Sequence, residues 1–329
     1  MREGELQSIR VVPIGFESLG VRSMCTFVET PDARILIDGG VALGPRFGKK
    51  PHPREYQARA LCRSKIREYA SKSQVIIVSH YHTDHYTPSY TEPVWLGSSA
   101  EEAEQIYDGK TVIMKSIRDF INLAQRKRGW MFQRFLKSSG STCHVADGAK
   151  FEFGDTIVRM SQPVPHGEKT SGLGWVLMTT IESGHEKLMH ASDVQGPMSK
   201  QTTNEILKQK PDLLILGGPP FYLEKVKVEK KAIQEGVANS IKIAQSIPTV
   251  IFEHHALRSE NWREEVRPVH EAGKEVGHTV TTAAEYSGLK LNALESIRQE
   301  LYEEEPPSEA FRRWCALKRD KQDRTPPPI

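Results

Sequence analysis

Short apolar runs alternate along this chain with longer polar stretches whose apolar positions repeat at helical spacing. Residues 9–14, 24–28 and 33–37 are brief runs rich in Ile, Val and Phe, with Gly15-Phe-Glu-Ser-Leu-Gly20 as a turn between the first two. Gln74-Val-Ile-Ile-Val78 is continuous and β-branched, the pattern of a buried strand. Further runs at 150–161, 173–182, 187–193, 210–217 and 248–253 also read as strands, with Ser171-Gly-Leu-Gly174 as a turn. Between them, residues 53–71 predict a helix opened by Pro53, with Tyr56, Ala60, Leu61 and Ile66 near helical spacing. Ser99 followed by an acidic first turn predicts a second helix over 99–107. Residues 117–137 predict a long helix broken near Gly129, and 229–246 another that leads into the run at 248–253. This alternation is that of an α/β layer fold.

Composition narrows the class. A chain of 329 residues is one large domain or two ordinary ones, and long enough to bury a substantial core. With 38% hydrophobic and 26% charged residues it is a soluble globular composition, and no run approaches the roughly 18 apolar residues of a membrane span. The opening Met1-Arg-Glu-Gly-Glu5 lacks the apolar core of a signal peptide, which makes a cytoplasmic protein the expectation. Cys25, Cys62, Cys143 and Cys315 are widely separated, without a C-x-x-C pair, and are expected as free thiols. A formal charge of +3 and a pI near 8.5 are mildly basic, short of a dedicated nucleic-acid module.

Chemistry concentrates in residues 79–88, Ser-His-Tyr-His-Thr-Asp-His-Tyr-Thr-Pro, directly after the apolar run at 74–78. His80, His82, Asp84 and His85 place four nitrogen and oxygen donors within six residues, a density that suits one or two borderline cations such as Zn²⁺. In extended backbone, His80 and His82 point the same way. His166, Asp193 and the pair His254-His255 each follow another apolar run. Strand ends are where a site in an α/β layer fold is assembled.

The H-x-H-x-D-H spacing resembles that of the metallo-β-lactamase superfamily, and further features of that family stand in order over roughly residues 9–260. They are the opening strands ending in Asp38-Gly39-Gly40, then Pro165-His166-Gly167, Ser192-Asp193, and Glu253-His254-His255. The runs Gly15–Ser23, Ser192-Asp-Val-Gln-Gly-Pro197, Gly217-Gly-Pro-Pro220 and His254–Arg258 look like those of an uncharacterised, mainly archaeal branch. The resemblance implies an αββα four-layer sandwich, two mixed β-sheets flanked by helices, over residues 1–292. Residues 293–329 stand apart as a charged, Pro-rich helical tail. It further implies two divalent metal ions, with Zn²⁺ first and Fe or Mn as alternatives. His80, His82 and His166 would hold one ion. Asp84, His85 and either His254 or His255 would hold the second, with Asp193 bridging. In the ribonuclease Z-like branch an Arg follows a ligand His by four residues, and His254 and Arg258 stand at that separation. The implied activity is hydrolysis by hydroxide held between the ions, with Asp84 orienting it and Arg258 available to fork onto a phosphate.

Substrate clues lie in basic residues among aromatics. One set is the loop 44–52 with Arg54, Arg59, Arg63, Lys65 and Arg67. The other is the 117–137 stretch, where Arg118, Arg126, Lys127, Arg128, Arg134 and Lys137 interleave with Phe120, Trp130, Phe132 and Phe135. Such interleaving either grips phosphates and stacks bases or forms a solvated helix face over a buried one. A phosphodiester, in a nucleic acid or a small phosphorylated metabolite, is the favoured substrate. A lactone, thioester or other carbonyl ester on the same cage is the alternative, and a non-hydrolytic metal-binding protein the third reading. Oligomeric state stays open. In the tail, Phe311 and Trp314 read as a packing helix or as the anchor of a partner-binding arm.

Overall fold

The computed structural model describes residues 6–168, 172–224 and 226–329; the Met1–Glu5 opening and Ser171 of the Gly-rich turn lie outside the described residues. Six strands form the first sheet in simple order: β1 (Arg10–Gly15), β2 (Cys25–Glu29), β3 (Arg34–Ile37), β4 (Val75–Val78), β5 (Thr111–Met114) and β6 (Thr142–Val145). β1 to β3 are antiparallel and β3 to β6 parallel. The run at 150–161 is two strands, not one: β7 (Lys150–Phe153) and β8 (Thr156–Met160) form a hairpin. Gly154 at φ +56 makes the turn between them. The run at 173–182 also divides. β9 (Val164–Pro165) and β10 (Trp175–Val176) pair as a separate small ladder. The second sheet continues with β11 (Thr179–Ser183), β12 (Glu186–His190), β13 (Leu213–Gly217), β14 (Thr249–Glu253) and β15 (Thr279–Thr281). Its order is β15-β14-β13-β12-β11-β8-β7, parallel from β12 to β15 and antiparallel elsewhere.

The side-chain alternation of the strands builds three apolar layers. Ile35, Ile37, Val75 and Ile77 of the first sheet face Ile181, Leu188, Leu213, Ile215 and Ile251 of the second. Leu36, Ile76 and Val78 point the other way, onto α1 (Pro53–Lys72), α2 (Ala100–Tyr107) and α3 (Leu123–Ser138). Leu214, Leu216, Val250 and Phe252 point onto α4 (Lys200–Gln209), α5 (Lys230–Ala244) and α6 (Trp262–Glu275). Strands covered on both faces need apolar residues at every position, which is why these runs do not alternate in polarity. The result is the αββα four-layer sandwich expected from the resemblance.

α3 starts later than its pattern predicts. The Asn122 side chain accepts from the Gln125 N–H at 2.8 Å and caps the helix there, so residues 117–121 stay outside it. Gly129 does not break it. A Cβ at that position would meet Tyr81 Cε2 and Ile117 Cγ2, each at 2.6 Å, so glycine lets α3 lie directly against the histidine-bearing loop.

The C-terminal segment carries α7 (Ala283–Tyr286), α8 (Arg298–Glu304), α9 (Glu309–Ala316) and α10 (Arg319–Gln322). Phe311 and Trp314 are buried edge-on against Tyr56 of α1, and Arg298 pairs with buried Glu55 at 2.7 Å. Both aromatic residues therefore belong to the core of the first half. All four cysteines are free thiols. No described helix is long and apolar enough to cross a membrane.

Candidate metal centre

Each candidate donor leaves the end of a strand. His80, His82, Asp84 and His85 follow β4; His166 follows β9; Asp193 follows β12; His254 and His255 follow β14. The two sheets bring these ends together, and the donors form overlapping groups: His80, His82, His166 and Asp193; Asp84, His85 and His254; and Asp193, His254 and His255. Within each group the ligand atoms lie within 4.8 Å of one another. His80 Nε2 stands 3.2 Å from His82 Nδ1. Asp193 Oδ2 stands 2.6 Å from His166 Nε2 and 3.2 Å from Nε2 of both His254 and His255. All eight sequence-proposed donors therefore converge, with Asp193 common to two groups.

The outer atoms of the rings show how they are aimed. Asp38, at the end of β3, accepts from the Ser79 N–H at 2.8 Å and from the hydroxyls of Ser79 and Ser192 at 2.7 and 3.0 Å. Its Oδ2 also takes His85 Nδ1 at 2.8 Å. A His85 proton on Nδ1 leaves Nε2 as a lone pair, and that Nε2 is buried without a hydrogen-bond partner. His80 Nδ1 meets Ser79 Oγ at 2.9 Å, which likewise turns its Nε2 inward. His254 Nδ1 lies 3.1 Å from Glu17 Oε2, while its Nε2 faces Asp84 and Asp193. His255 is held differently: its Nδ1 meets the Tyr222 hydroxyl at 2.7 Å. Gly40 permits the close approach of these segments, since a Cβ there would lie 2.3 Å from the Tyr86 backbone nitrogen.

Burial and mutual repulsion push the His80 imidazole well below its ordinary value; burial first, then the other imidazoles, bring His82 to about 3. Burial and the Arg258 charge bring His255 to about 3 as well. At neutral pH these three rings are uncharged, with lone pairs to offer. Burial would also lower His254, but the Glu17 and Asp193 carboxylates outweigh it and raise the ring to about 10. Burial would raise Asp84 and Asp193, yet the surrounding imidazoles hold both well below the carboxylate range. The donor set fits a cation by a direct structural test. Asp193 Oδ1 and His85 Nε2 are buried acceptors with no hydrogen-bond partner, a costly state that a metal ion would relieve. Imidazole and carboxylate donors match Zn²⁺, Fe and Mn.

Two sequence clues take a different place from the one expected. Arg258 is buried, with Nε on Glu17 Oε1 at 2.8 Å, Nη1 on the Tyr222 hydroxyl at 3.3 Å and Nη2 3.6 Å from Asp84. Its guanidinium braces the residues around the centre and is not free to fork onto a phosphate. The α1 arginines also serve the fold. Arg59 donates to the Val94 carbonyl at 2.8 Å, Arg63 to Leu96 O and Thr87 Oγ1 at 2.9 and 2.5 Å, and Arg67 pairs with Glu102. Arg59 and Arg63 pin the loop over 87–98, and Arg67 ties α1 to α2. Glu17 and Tyr222 are site residues that the sequence did not single out; Asp38 stood in the Asp38-Gly39-Gly40 match, without a role.

Asp84 opens onto a cavity of about 370 Å³ lined by Arg22, Pro45, Thr83, Tyr90, Trp95 and Arg128, among others. Arg22 is held by Glu295 through two hydrogen bonds of 2.6 Å, whereas Arg128 comes from α3 and donates to the Tyr81 carbonyl at 3.3 Å. Gly217-Gly-Pro-Pro220 leads into the turn Phe221–Leu223, which presents Tyr222 to His255.

No family model matches the chain. Curated relatives do. The UPF0282 protein of Methanopyrus kandleri is 39% identical over 298 residues, covering 90% of this chain and 100% of the relative. That of Methanocaldococcus jannaschii is 38% identical over 305 residues, covering 92% and 100%. Among solved structures, a possible metal-dependent hydrolase from Veillonella parvula superimposes with a TM-score of 0.51 at 13% identity, over 80% of this chain and 94% of that one. Unliganded yeast PDE1 gives 0.52 at 12% identity, over 84% and 98%. CmlA, a diiron β-hydroxylase from Streptomyces venezuelae, gives 0.52 at 10%, over 84% and 53%. At such low identity these likenesses speak for the fold alone. The chain belongs to the UPF0282 family and carries the metallo-β-lactamase fold.

Proposed function

We propose that this protein is a two-metal hydrolase that cleaves phosphodiesters. The observation that carries the reading is a continuous set of donors: His80, His82 and His166 group with Asp193, Asp193 lies 3.2 Å from His254, and His254 groups with His85 and with Asp84, which lines the cavity. In this reading His80, His82 and His166 would hold one cation and Asp84, His85 and His254 a second, with Asp193 available to both. When bound, two such cations supply a water nucleophile at neutral pH and positive charge against an anionic transition state.

The chain's own groups position and tune. Asp84, whose side chain is 18% exposed, accepts a hydrogen bond from the attacking water and orients it towards the cavity. Glu17 and Asp38 engage Nδ1 of His254 and His85, fixing the rings and aiming each Nε2 into the centre, where a bound cation would displace any proton it carries. His255 takes the remaining role: it accepts the Tyr222 hydroxyl proton at Nδ1 and donates from Nε2 to Asp193, steadying that carboxylate. Arg128 on the cavity wall offers counter-charge to a phosphate. Leu43, Pro45 and Leu96 on the same wall support a second reading, a lactone or thioester substrate.

Metal content and hydrolysis of bis(p-nitrophenyl) phosphate, measured after loading with Zn²⁺, Mn²⁺ or Fe²⁺, test the proposal. The expected result is two ions per chain and metal-dependent turnover, with metal content lowered and turnover abolished in His82→Ala while the fold is retained. Two ions with turnover only on p-nitrophenyl acetate or a lactone would select the second reading. Fewer than one ion under every loading condition, or full occupancy and rate in His82→Ala, would overturn both.

A further inference from the structure

α3 carries two surfaces. Gln125, Gly129, Phe132 and Leu136 face inward, and Gln125 Nε2 reaches within 3.4 Å of His82 Nε2. The opposite face, at positions three and four apart, is Leu123, Arg126, Lys127 and Trp130. Leu123 is 80% exposed and Trp130 51% exposed. These four residues with Ile117 and Arg118 line a groove of about 630 Å³. Arg126 is set in its wall by donating to the Arg118 carbonyl at 2.9 Å, and the Arg134 guanidinium lies 4.9 Å over the Trp130 ring. Just before the helix, Phe120 is 59% exposed and held edge-on to Trp175 at 5.8 Å. Leu123 and Trp130 on the helix and Phe120 just before it are thus exposed beside the cations Arg118, Arg126, Lys127 and Arg134. Asp119 is the acidic residue next to them in the chain.

We infer that this groove binds a single-stranded nucleic acid, with bases stacked on Trp130 and Phe120 and phosphates taken by Arg118, Arg126 and Lys127. Cations without matching acids favour a polyanion over a peptide. Rigid, partly exposed rings favour unpaired bases over a duplex, whose bases are already stacked. Continuity with the centre favours the same choice. Arg128, the next residue after Lys127, lines the cavity at Asp84. The groove and the cavity thus flank one helix, about 10 Å across, which a strand of a few nucleotides spans. The second half of the inference, that the strand continues to Asp84 as substrate, rests on the hydrolase reading above.

Fluorescence anisotropy of labelled U12, dT12 and a 12-base-pair duplex on the full-length protein tests it, with titrations between 50 and 200 mM salt. Expected is preference for the single strands over the duplex. Trp130→Ala should weaken binding about ten-fold, with Trp130→Phe restoring most of it. Arg126→Ala and Lys127→Ala should each reduce the slope of log affinity against log salt by about 0.7. Thermal melts of the variants should match the parent, because these side chains are exposed. No oligonucleotide binding, equal binding by Trp130→Ala, or a Trp130-dependent preference for phosphatidylserine vesicles over oligonucleotides would overturn the inference. Binding without any hydrolysis of bis(p-nitrophenyl) phosphate would keep the groove and remove the phosphodiesterase reading; the reverse result would remove the groove alone.

Discussion

Two adjacent histidines, chemically identical, receive different work from what touches their far nitrogens. His254 has a carboxylate at Nδ1, Glu17, and its Nε2 faces Asp84 and Asp193; His255 has a hydroxyl at Nδ1, Tyr222, and its Nε2 lies 3.2 Å from Asp193. His254→Ala should therefore lose one of two ions, whereas His255→Ala should keep both with affinity reduced about ten-fold. Metal analysis of the two variants after dialysis checks this, and the opposite pattern would exchange their roles. The backbone shows the same concentration of demand. Asp38, Ser192, Gln195 and His254 all adopt left-handed φ, between 51° and 63°. Each costs on the order of 1 kcal/mol for a residue with a Cβ, and all four sit at the centre.

Among elements, α1 determines how the cavity wall is held. Arg63 is 4% exposed and donates to Leu96 O, Thr87 Oγ1 and Val41 O from one guanidinium. Arg63→Ala leaves those acceptors buried and unpaired, and should destabilise by about 3 kcal/mol. A lowered urea midpoint checks this. An unchanged midpoint with a raised KM would instead mean that Arg63 touches substrate. Helix α3 has the complementary task, with one face against the histidine loop through Gly129 and the other exposing the groove.

On the scale of the molecule, the C-terminal segment is keyed into the first half by buried ion pairs. Arg298 pairs with Glu55, and Arg22 with Glu295. Burial would raise Glu295, but Arg22 outweighs it and lowers the carboxyl to about 2. A depressed carboxyl contributes stability above its ordinary value and loses it as pH falls through the folded value. The contribution of about 3 kcal/mol should thus be full near neutral pH and fade between about pH 4.5 and 2. Denaturation of Glu295→Gln beside the parent should show a gap at pH 7 that narrows below about pH 4.5 and closes towards pH 2. A gap independent of pH would refute the pairing as its source.

The donors and the layered fold were legible in the chain because both are local signals. Strands covered on two faces write uninterrupted apolar runs, and His80, His82, Asp84 and His85 crowd six residues at the end of one. β6 left no such trace, since all four of its residues are exposed, and α6 is blurred by Pro268 inside it. Phe132 and Trp130 look alike in sequence, yet one is buried and the other solvent-facing. The roles of the residues that aim the rings were hidden for a different reason. Glu17 meets Arg258 across 241 residues, and Asp38 meets Ser192 across 154. The sequence by itself determined which atoms are available to bind a cation. Only the tertiary structure decided which way each ring points, because that depends on single hydrogen-bond partners brought together by the packing of two sheets.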